Sequence, residues 1–405
     1  MNLERTKIIN ICDKITLFSI YAVVFFLPIS KAIIESFSSI AIVFFIVKKF
    51  IQREDIPKSR LNLAIIVYAI ICFFSIFISS NPAISFRSFL GKILQHVIFF
   101  FVVTDTLNSE RRFKNLIYIL FFSSAVLGID GIYQYFTHKD FIRNRPTIFT
   151  NRIYASFSTP NDFGCYLVVV IPFTLSIFFT KFRFKFFRYL SVALFILLFI
   201  CLILTVSRGA WFAFMASALF MSAWLASLGK FLLFLGLFIT VSLTFFPPLV
   251  KERLTKLFVF LDNSGIDRKI IWGTAWKMFI SKPWLGLGLG TFMFNFEKFV
   301  IKDYLYGPPY AHNCYLQIAS EIGIIGLVSF LSILVFFFYN GIKIISKGQT
   351  TFSWYVLLGS LTAALGYCVQ MGVDTFLYSV DLGILFWLIL GIGMAAASKI
   401  APLLE

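Results

Sequence analysis

Residues 188–227 read RYLSVALFILLFICLILTVSRGAWFAFMASALFMSAWLAS: two apolar runs, 188–207 and 209–227, divided by Arg208. Each is close to the roughly 20 residues a helix needs to cross a hydrocarbon core. Inside a bilayer a backbone must satisfy its own hydrogen bonds, so such runs fold as helices. The same pattern recurs along the whole chain of 405 residues, which is 59% hydrophobic and 14% charged with mean hydropathy +0.89. Soluble domains carry about 25% charged residues. The composition therefore excludes a cytosolic enzyme, a disordered chain and a disulfide-stapled secreted domain.

Working outward, about 12 spans are expected, near 14–30, 32–48, 61–79, 87–106, 114–134, 161–180, 188–207, 209–227, 230–247, 314–339, 352–370 and 379–397. The first and second, and the seventh and eighth, are joined tightly enough to form helical hairpins. The fold class is an all-α polytopic membrane protein, one integral domain over 1–405. A long, partly helical loop, 248–313, lies between spans 9 and 10. The basic N-terminus followed by Ile15 to Ile29 reads as a retained first span, since no small-residue cleavage site follows it.

The net charge is +17. No basic stretch is long, and Lys and Arg fall between apolar runs, so nucleic acid is not an expected partner. Lys48, Lys49, Arg53, Lys58, Arg60, Arg111, Arg112, Lys114, Lys181, Arg183, Lys185 and Arg188 fall on one side with Arg5, Lys7 and Lys14. The positive-inside rule puts that side, and both termini, in the cytoplasm. Two longer segments on the other side are also basic: 135–160, with His138, Arg143, Arg145 and Arg152, and 248–313, with Arg253, Arg268, Lys269 and Lys277. A basic outer-face loop beside helix ends suits an anionic ligand.

In the second segment, Ser264-Gly-Ile-Asp267 reads as a capping box for a helix from Arg268 to Ser281, stopped by Pro283. Its apolar stripe is expected at Trp272, Ala275, Trp276 and Phe279. Gly286, Gly288 and Gly290 lack dinucleotide-fingerprint spacing and read as a tight re-entrant turn. Six cysteines without a Cys-x-x-Cys pair read as buried thiols. No Asp-x-Asp or His-Glu-x-x-His occurs, so neither a dedicated metal site nor a cofactor is expected.

Three histidines occur. His96, within a span, is either a functional group or a neutral imidazole bonded to a backbone carbonyl. His138 reads as solvated. His312, in Pro309-Tyr-Ala-His-Asn313, stands where the loop re-enters the membrane and could meet a lipid-borne substrate and an aqueous acceptor together. Arg208 reads either as snorkelling to lipid headgroups or as one arm of a diphosphate clamp, with Gly209 and Ala210 admitting a ligand and Arg268 as the second fork. Trp272, Trp276, Tyr304, Tyr306 and Tyr310 fit an interfacial belt or sugar stacking equally well.

Taken together, Arg152…Phe157-Ser-Thr-Pro-Asn161-Asp162, Ser207-Arg208-Gly-Ala-Trp211, Arg268…Trp272…Trp276…Pro283-Trp-Leu-Gly-Leu-Gly288 and Ala311-His312-Asn313…Glu321-Ile-Gly323-Ile-Ile-Gly326 resemble the O-antigen ligase family. They are similar also to its relatives, the O-antigen polymerases and protein O-oligosaccharyltransferases. The last group usually carries a large further C-terminal region, whereas this chain ends at Glu405.

The resemblance implies a GT-C-like, metal-independent, inverting glycosyltransferase of the bacterial inner membrane. Its active site would face the periplasm. It would take a glycan from undecaprenyl diphosphate and, in a ligase, pass it to a sugar hydroxyl of lipid A core. The family's roles carry to Arg208 and Arg268 as diphosphate-binding arginines and to His312 as base. Arg152, Asn161, Asn313, Trp272 and Tyr310 are the expected substrate-binding residues. An imidazole, with an ordinary pKa of about 6.5, suits such a base. Polymerase, with a lipid-linked acceptor, and a polysaccharide or lipid transporter are the alternatives. No two-fold internal symmetry of the transporter kind is visible.

Overall fold

A computed structural model of the chain describes residues 3–53, 59–149, 152–180, 185–225, 263–300, 309–348 and 350–401, with the side chains of 3, 185–187 and 263–267 left aside. Among these residues all regular structure is helical, apart from one isolated bridge between Lys139 and Pro146. The helices are α1 (Leu3–Phe26), α2 (Lys31–Gln52), α3 (Arg60–Phe74), α4 (Pro82–Ser88), α5 (Gln95–Thr106), α6 (Glu110–Thr137), α7 (Pro160–Phe178), α8 (Lys185–Leu204), α9 (Arg208–Trp224), α10 (Asn263–Ser281), α11 (Phe292–Phe299), α12 (Cys314–Ile345), α13 (Phe352–Met371) and α14 (Val380–Ile400). A π-helical turn, Phe89–Leu94, joins α4 to α5.

Local chemistry explains where many of them begin. Ser59, Asn81, Ser109, Thr159 and Asn313 each accept a backbone N–H of the first turn that follows. Such a cap satisfies a donor the helix leaves open. Pro82 and Pro160 occupy first helical positions, where the missing N–H costs nothing.

The protein is a multi-pass membrane protein. Among the described residues, 7 helical segments are long and apolar enough to cross a bilayer: Glu4–Phe26, Pro82–Thr106, Glu110–Thr137, Pro160–Phe178, Cys314–Ile345, Phe352–Met371 and Val380–Ile400. Arg60–Phe74 and Arg188–Leu204 are apolar but shorter. The expected spans at 32–48 and 209–227 fall on α2 and α9; the one at 230–247 and much of the 248–313 loop lie outside the described residues. Helix α14 runs through the centre, buried along nearly its whole length, and packs on α5 and α13. Helix α13 packs in turn on α7 and α9.

Three local expectations are corrected. First, α1 and α2 do form a close hairpin, but α8 and α9 separate. Helix α8 lies on α7 and α6, and α9 lies on α13 and α7. Small residues cause this. A Cβ on Gly164 of α7 would stand 2.8 Å from Ala210, and one on Gly366 of α13 would overlap Ser217. Close approach of these backbones carries α9 away from its sequence neighbour. Ala210 is therefore a packing residue and not a gap for a ligand.

Second, α10 is already helical at Asn263, so Ser264 lies inside the helix and is not its cap. Third, its buried stripe is Ile271, Ala275 and Met278, which form a small second core with Leu287, Phe292, Phe296 and Ala311. Trp276 instead faces outward, paired with Phe279. The stripe falls there because α11, α12 and Leu287 of the glycine turn cover that face.

That turn is the glycine run. Gly286, Gly288 and Gly290 all have positive φ, as does Gly323, where α12 breaks its helical backbone. The two irregular stretches clasp each other: Leu287 and Gly288 N–H donate to the Ser320 and Glu321 carbonyls, and Ile324 N–H to the Pro283 carbonyl. The Glu321 carboxylate, fully buried, accepts from Gly290 N–H and Phe292 N–H and from Tyr378 Oη at 2.9 Å. Non-helical backbone inside a membrane protein is tolerated where the protein itself supplies such partners.

At the other end of the bundle the basic residues are ion-paired. Lys48 meets Asp13 at 2.8 Å and Asp105 at 3.1 Å, Lys49 meets Asp105 at 2.6 Å, and Arg112 also holds Asp13.

Candidate active site

Three segments distant in sequence converge at the end of the bundle opposite that cluster. Helix α7 opens with Pro160-Asn161-Asp162; α9 opens with Arg208 after the tight turn Thr205–Ser207; and the link from α13 to α14 carries Gly372-Val-Asp374-Thr375. They surround a cavity of about 110 Å³ lined by Arg152, Asn161, Ser207, Arg208, Arg268 and Asp374, with Gly209 and Gln370 among the rest.

Asn161 is the hub. Its Oδ1 accepts from Ser207 Oγ at 2.9 Å and from the Arg152 guanidinium at 3.3 Å, and its Nδ2 donates to Asp374 Oδ2 at 3.1 Å. Arg152 Nε also donates to the Thr205 carbonyl, which ties the 152–159 segment to the turn before Arg208. Arg152, Arg208 and Arg268 thus face one space, and one carboxylate stands among them.

His312 reaches that carboxylate. Its Nδ1 lies 3.0 Å from Asp374 Oδ1, while its side chain remains 41% exposed against 14% for Asp374. The neighbours of His312 hold the same turn: Asn313 Nδ2 donates to the Gly372 carbonyl, and Cys314 Sγ lies 3.3 Å from the Asp374 carbonyl. Burial alone would push the Asp374 carboxyl up. The hydrogen bond and charge of His312, the Thr375 N–H and the Arg268 guanidinium outweigh it and hold Asp374 below the usual carboxylate range. Asp374 is therefore ionised at neutral pH, and a carboxylate facing Nδ1 accepts a hydrogen bond from Nδ1–H, which favours the tautomer whose Nε2 carries no proton.

Backbone strain marks the same place. His312 has φ of 46° and Val206, next to Ser207, has φ of 52°. A β-branched residue in that region is an outlier, and such strain collects at functional sites.

The expected site residues divide. Arg152, Asn161, Arg208 and Arg268 line the cavity, and His312 joins it through Asp374. Asn313 stands beside it with both side-chain ends committed, Oδ1 capping α12 and Nδ2 on Gly372. Trp272 and Tyr310 do not line it. Tyr310 lies against Tyr378 with the rings tilted by 42°, and Lys92 Nζ lies over both at 5.6 and 5.2 Å.

The other arginines of the 135–160 segment hold the chain itself. Arg143 donates to the Ile29 carbonyl, and Arg145 to Asp140 and to the Ser156 and Phe157 carbonyls. His96 is buried against Gly383 with Nε2 unpartnered among the described residues, and His138 is an exposed C-cap. Among the described residues no group of three or more His, Cys, Asp or Glu side chains is placed to hold a metal ion.

Asp374 and Ser207 were the residues that sequence reasoning missed. One signal pointed to the first. The chain has 19 acids against 36 bases, so an acid at the membrane end that arginines surround is a candidate counter-ion.

With this geometry in place, comparison with known proteins identifies residues 193–331 as matching the O-antigen ligase family, a stretch that holds Arg208, Arg268 and His312. The family's enzymes are glycosyltransferases of the ligase and polymerase type that act on lipid-linked glycans. No curated protein matches the chain.

Proposed function

We propose that this chain, with its O-antigen ligase family domain over residues 193–331, moves a glycan from undecaprenyl diphosphate to a sugar hydroxyl of lipid A core, with inversion, on the periplasmic face of the bacterial inner membrane. The observation that carries the reading is the shared cavity: three arginines line it together with the carboxylate that holds His312. The orientation is supported by the ion-paired basic cluster at the opposite end, which suits the cytoplasmic side.

In this scheme the diphosphate enters the cavity and the forks of Arg208 and Arg268 bind it, with Arg152 behind Asn161 adding positive charge. As the anomeric carbon–oxygen bond breaks, the leaving diphosphate gains charge, and preorganised guanidinium groups stabilise it more in the transition state than in the ground state. The acceptor hydroxyl attacks from the opposite face, and its proton passes to His312 Nε2. Asp374 orients the ring and stabilises the imidazolium that forms, the role a buried carboxylate plays behind a catalytic imidazole. Base catalysis of this kind contributes roughly 10²–10⁴-fold.

The test is transfer by the purified chain in lipid, using a defined undecaprenyl-diphosphate-linked glycan and two acceptors, lipid A core and a second lipid-linked glycan. Product on lipid A core supports the ligase. Product on the lipid-linked glycan alone replaces it with a polymerase. No transfer, with intact donor carried across the bilayer of sealed vesicles, replaces both with transport.

A further inference from the structure

Two hydrogen bonds of the Glu321 carboxylate lead away from the glycine clasp. The side chain is fully buried. Its Oε2 accepts from Gly290 N–H at 2.8 Å and from Tyr378 Oη at 2.9 Å. Its Oε1 accepts from Phe292 N–H at 3.2 Å and from Gln317 Nε2 at 3.1 Å. Gly290 and Phe292 belong to the clasp; Gln317 and Tyr378 do not. Gln317, also fully buried, takes Ala311 N–H on its Oε1 at 3.1 Å, and Ala311 is the residue before His312. Tyr378 N–H donates to the Thr375 carbonyl at 3.1 Å, and Thr375 is the residue after Asp374. One carboxylate thus reaches both members of the His312–Asp374 pair through one residue each.

The pair needs such support. His312 stands at φ of 46°, a backbone conformation that persists only where the surroundings over-determine it. After it, Asn313 is tied to Gly372. Before it, Ala311 is tied through Gln317 and Glu321 to Tyr378. A buried polar network with every member satisfied rigidifies the segments it joins. We infer, resting on the base role of His312 proposed above, that Glu321 is a positioning residue for transfer. Through Gln317 and Tyr378 it holds the imidazole and the Asp374 carboxylate at hydrogen-bond distance, which keeps the ring proton on Nδ1 and turns Nε2 to the acceptor hydroxyl. Glu321 does not line the arginine cavity and acts only through these two residues.

The test cuts the chain without cutting the clasp. Tyr378→Phe removes one hydroxyl and leaves the bonds of Gly290, Phe292 and Gln317 to Glu321 in place. Glu321→Gln sets an amide NH2 against two donors and disturbs clasp and chain together. The full chain in lipid nanodiscs, with 15N in its histidine rings, is read by NMR at mildly alkaline pH. The chain has three histidines, and His312→Asn identifies the signal of the third. The natural protein is expected to show His312 in one tautomer, protonated on Nδ1, and Tyr378→Phe a mixture of the two. In transfer, Tyr378→Phe is expected to lower kcat by about 3–10-fold, up to the worth of one hydrogen bond, with KM for the lipid-linked donor unchanged. Glu321→Gln should go further in both readouts; where it does not fold, Tyr378→Phe carries the test.

His312 in its natural tautomer in Tyr378→Phe overturns the inference and leaves Glu321 a part of the clasp alone. Because the ring signal needs no glycan, it decides the role of Glu321 even where the natural protein transfers none. That outcome would overturn the transfer reading alone.

Discussion

His312 Nδ1 lies 3.0 Å from Asp374 Oδ1, across 62 residues of sequence, and the other oxygen of the same carboxylate takes the amide of Asn161. A single acid thereby joins the imidazole to the arginine-lined cavity. The predictions below follow from that arrangement and from the backbone that holds it.

Removing the imidazole should remove transfer without unfolding the protein. Because φ at position 312 is 46°, asparagine, which tolerates the left-handed region, is the better substitute than alanine. His312→Asn is expected to lower transfer by about 10²–10⁴-fold. Its thermal transition should stay within a few degrees of the natural protein's. Transfer at the natural rate would take the base role from His312.

Asp374→Asn should act on both activity and stability. It keeps the shape but removes the charge that fixes the tautomer, and transfer is expected to fall by about 10²–10⁴-fold, as when the carboxylate behind a catalytic imidazole is lost. The natural carboxyl is held below its ordinary range. Its contribution to stability is therefore fully present above the unfolded value of about 3.9 and is lost as pH falls through the lower folded value. The variant should melt earlier than the natural protein at pH 7, and the gap should narrow below about pH 4. A gap that widens on acidification would mean the charge is not stabilising.

Arg208→Lys and Arg268→Lys each keep a positive charge but lose the two-pronged donor geometry. Each is expected to lower kcat/KM for the lipid-linked donor by at least about ten-fold, the cost of a charge-assisted hydrogen bond. The affinity of either variant for the acceptor should not move. Natural kinetics in both would reduce the pair to headgroup contacts.

Two glycines separate backbone need from helix propensity. A Cβ on Gly286, at φ of 68°, would run into the backbone of Glu321. Gly286→Ala should therefore open the clasp with α12 and lower folded yield sharply. Gly273, within α10, has nothing within 4 Å of such an atom. Gly273→Ala should leave stability unchanged or raise it by up to about 1 kcal/mol. Thermal unfolding of the two variants side by side gives the answer.

Much of the architecture could be read from local pattern. Apolar runs marked the membrane helices, since a bilayer admits no other backbone for them. Arg152, Arg208 and Arg268 stood out because a cation at the edge of an apolar segment needs a reason to be there. Where periodicity was read without knowing what covered the helix, it failed. In α10 the buried stripe is Ile271, Ala275 and Met278, because α11, α12 and Leu287 pack on that face.

What the sequence determined by itself, then, is the kind of solvent the chain folds in, where its helices run, and which cations stand at their ends, because each of these depends on residues close together in the chain. Only the tertiary structure decided that α9 leaves α8 for α13, that Asp374 holds His312, and that Arg152, Arg208 and Arg268 line one cavity. Those facts depend on which small residues let helices approach and on which buried polar atoms then find partners. Such pairings join segments far apart in the chain, Asn161 and Asp374 by 213 residues, and no local pattern carries them.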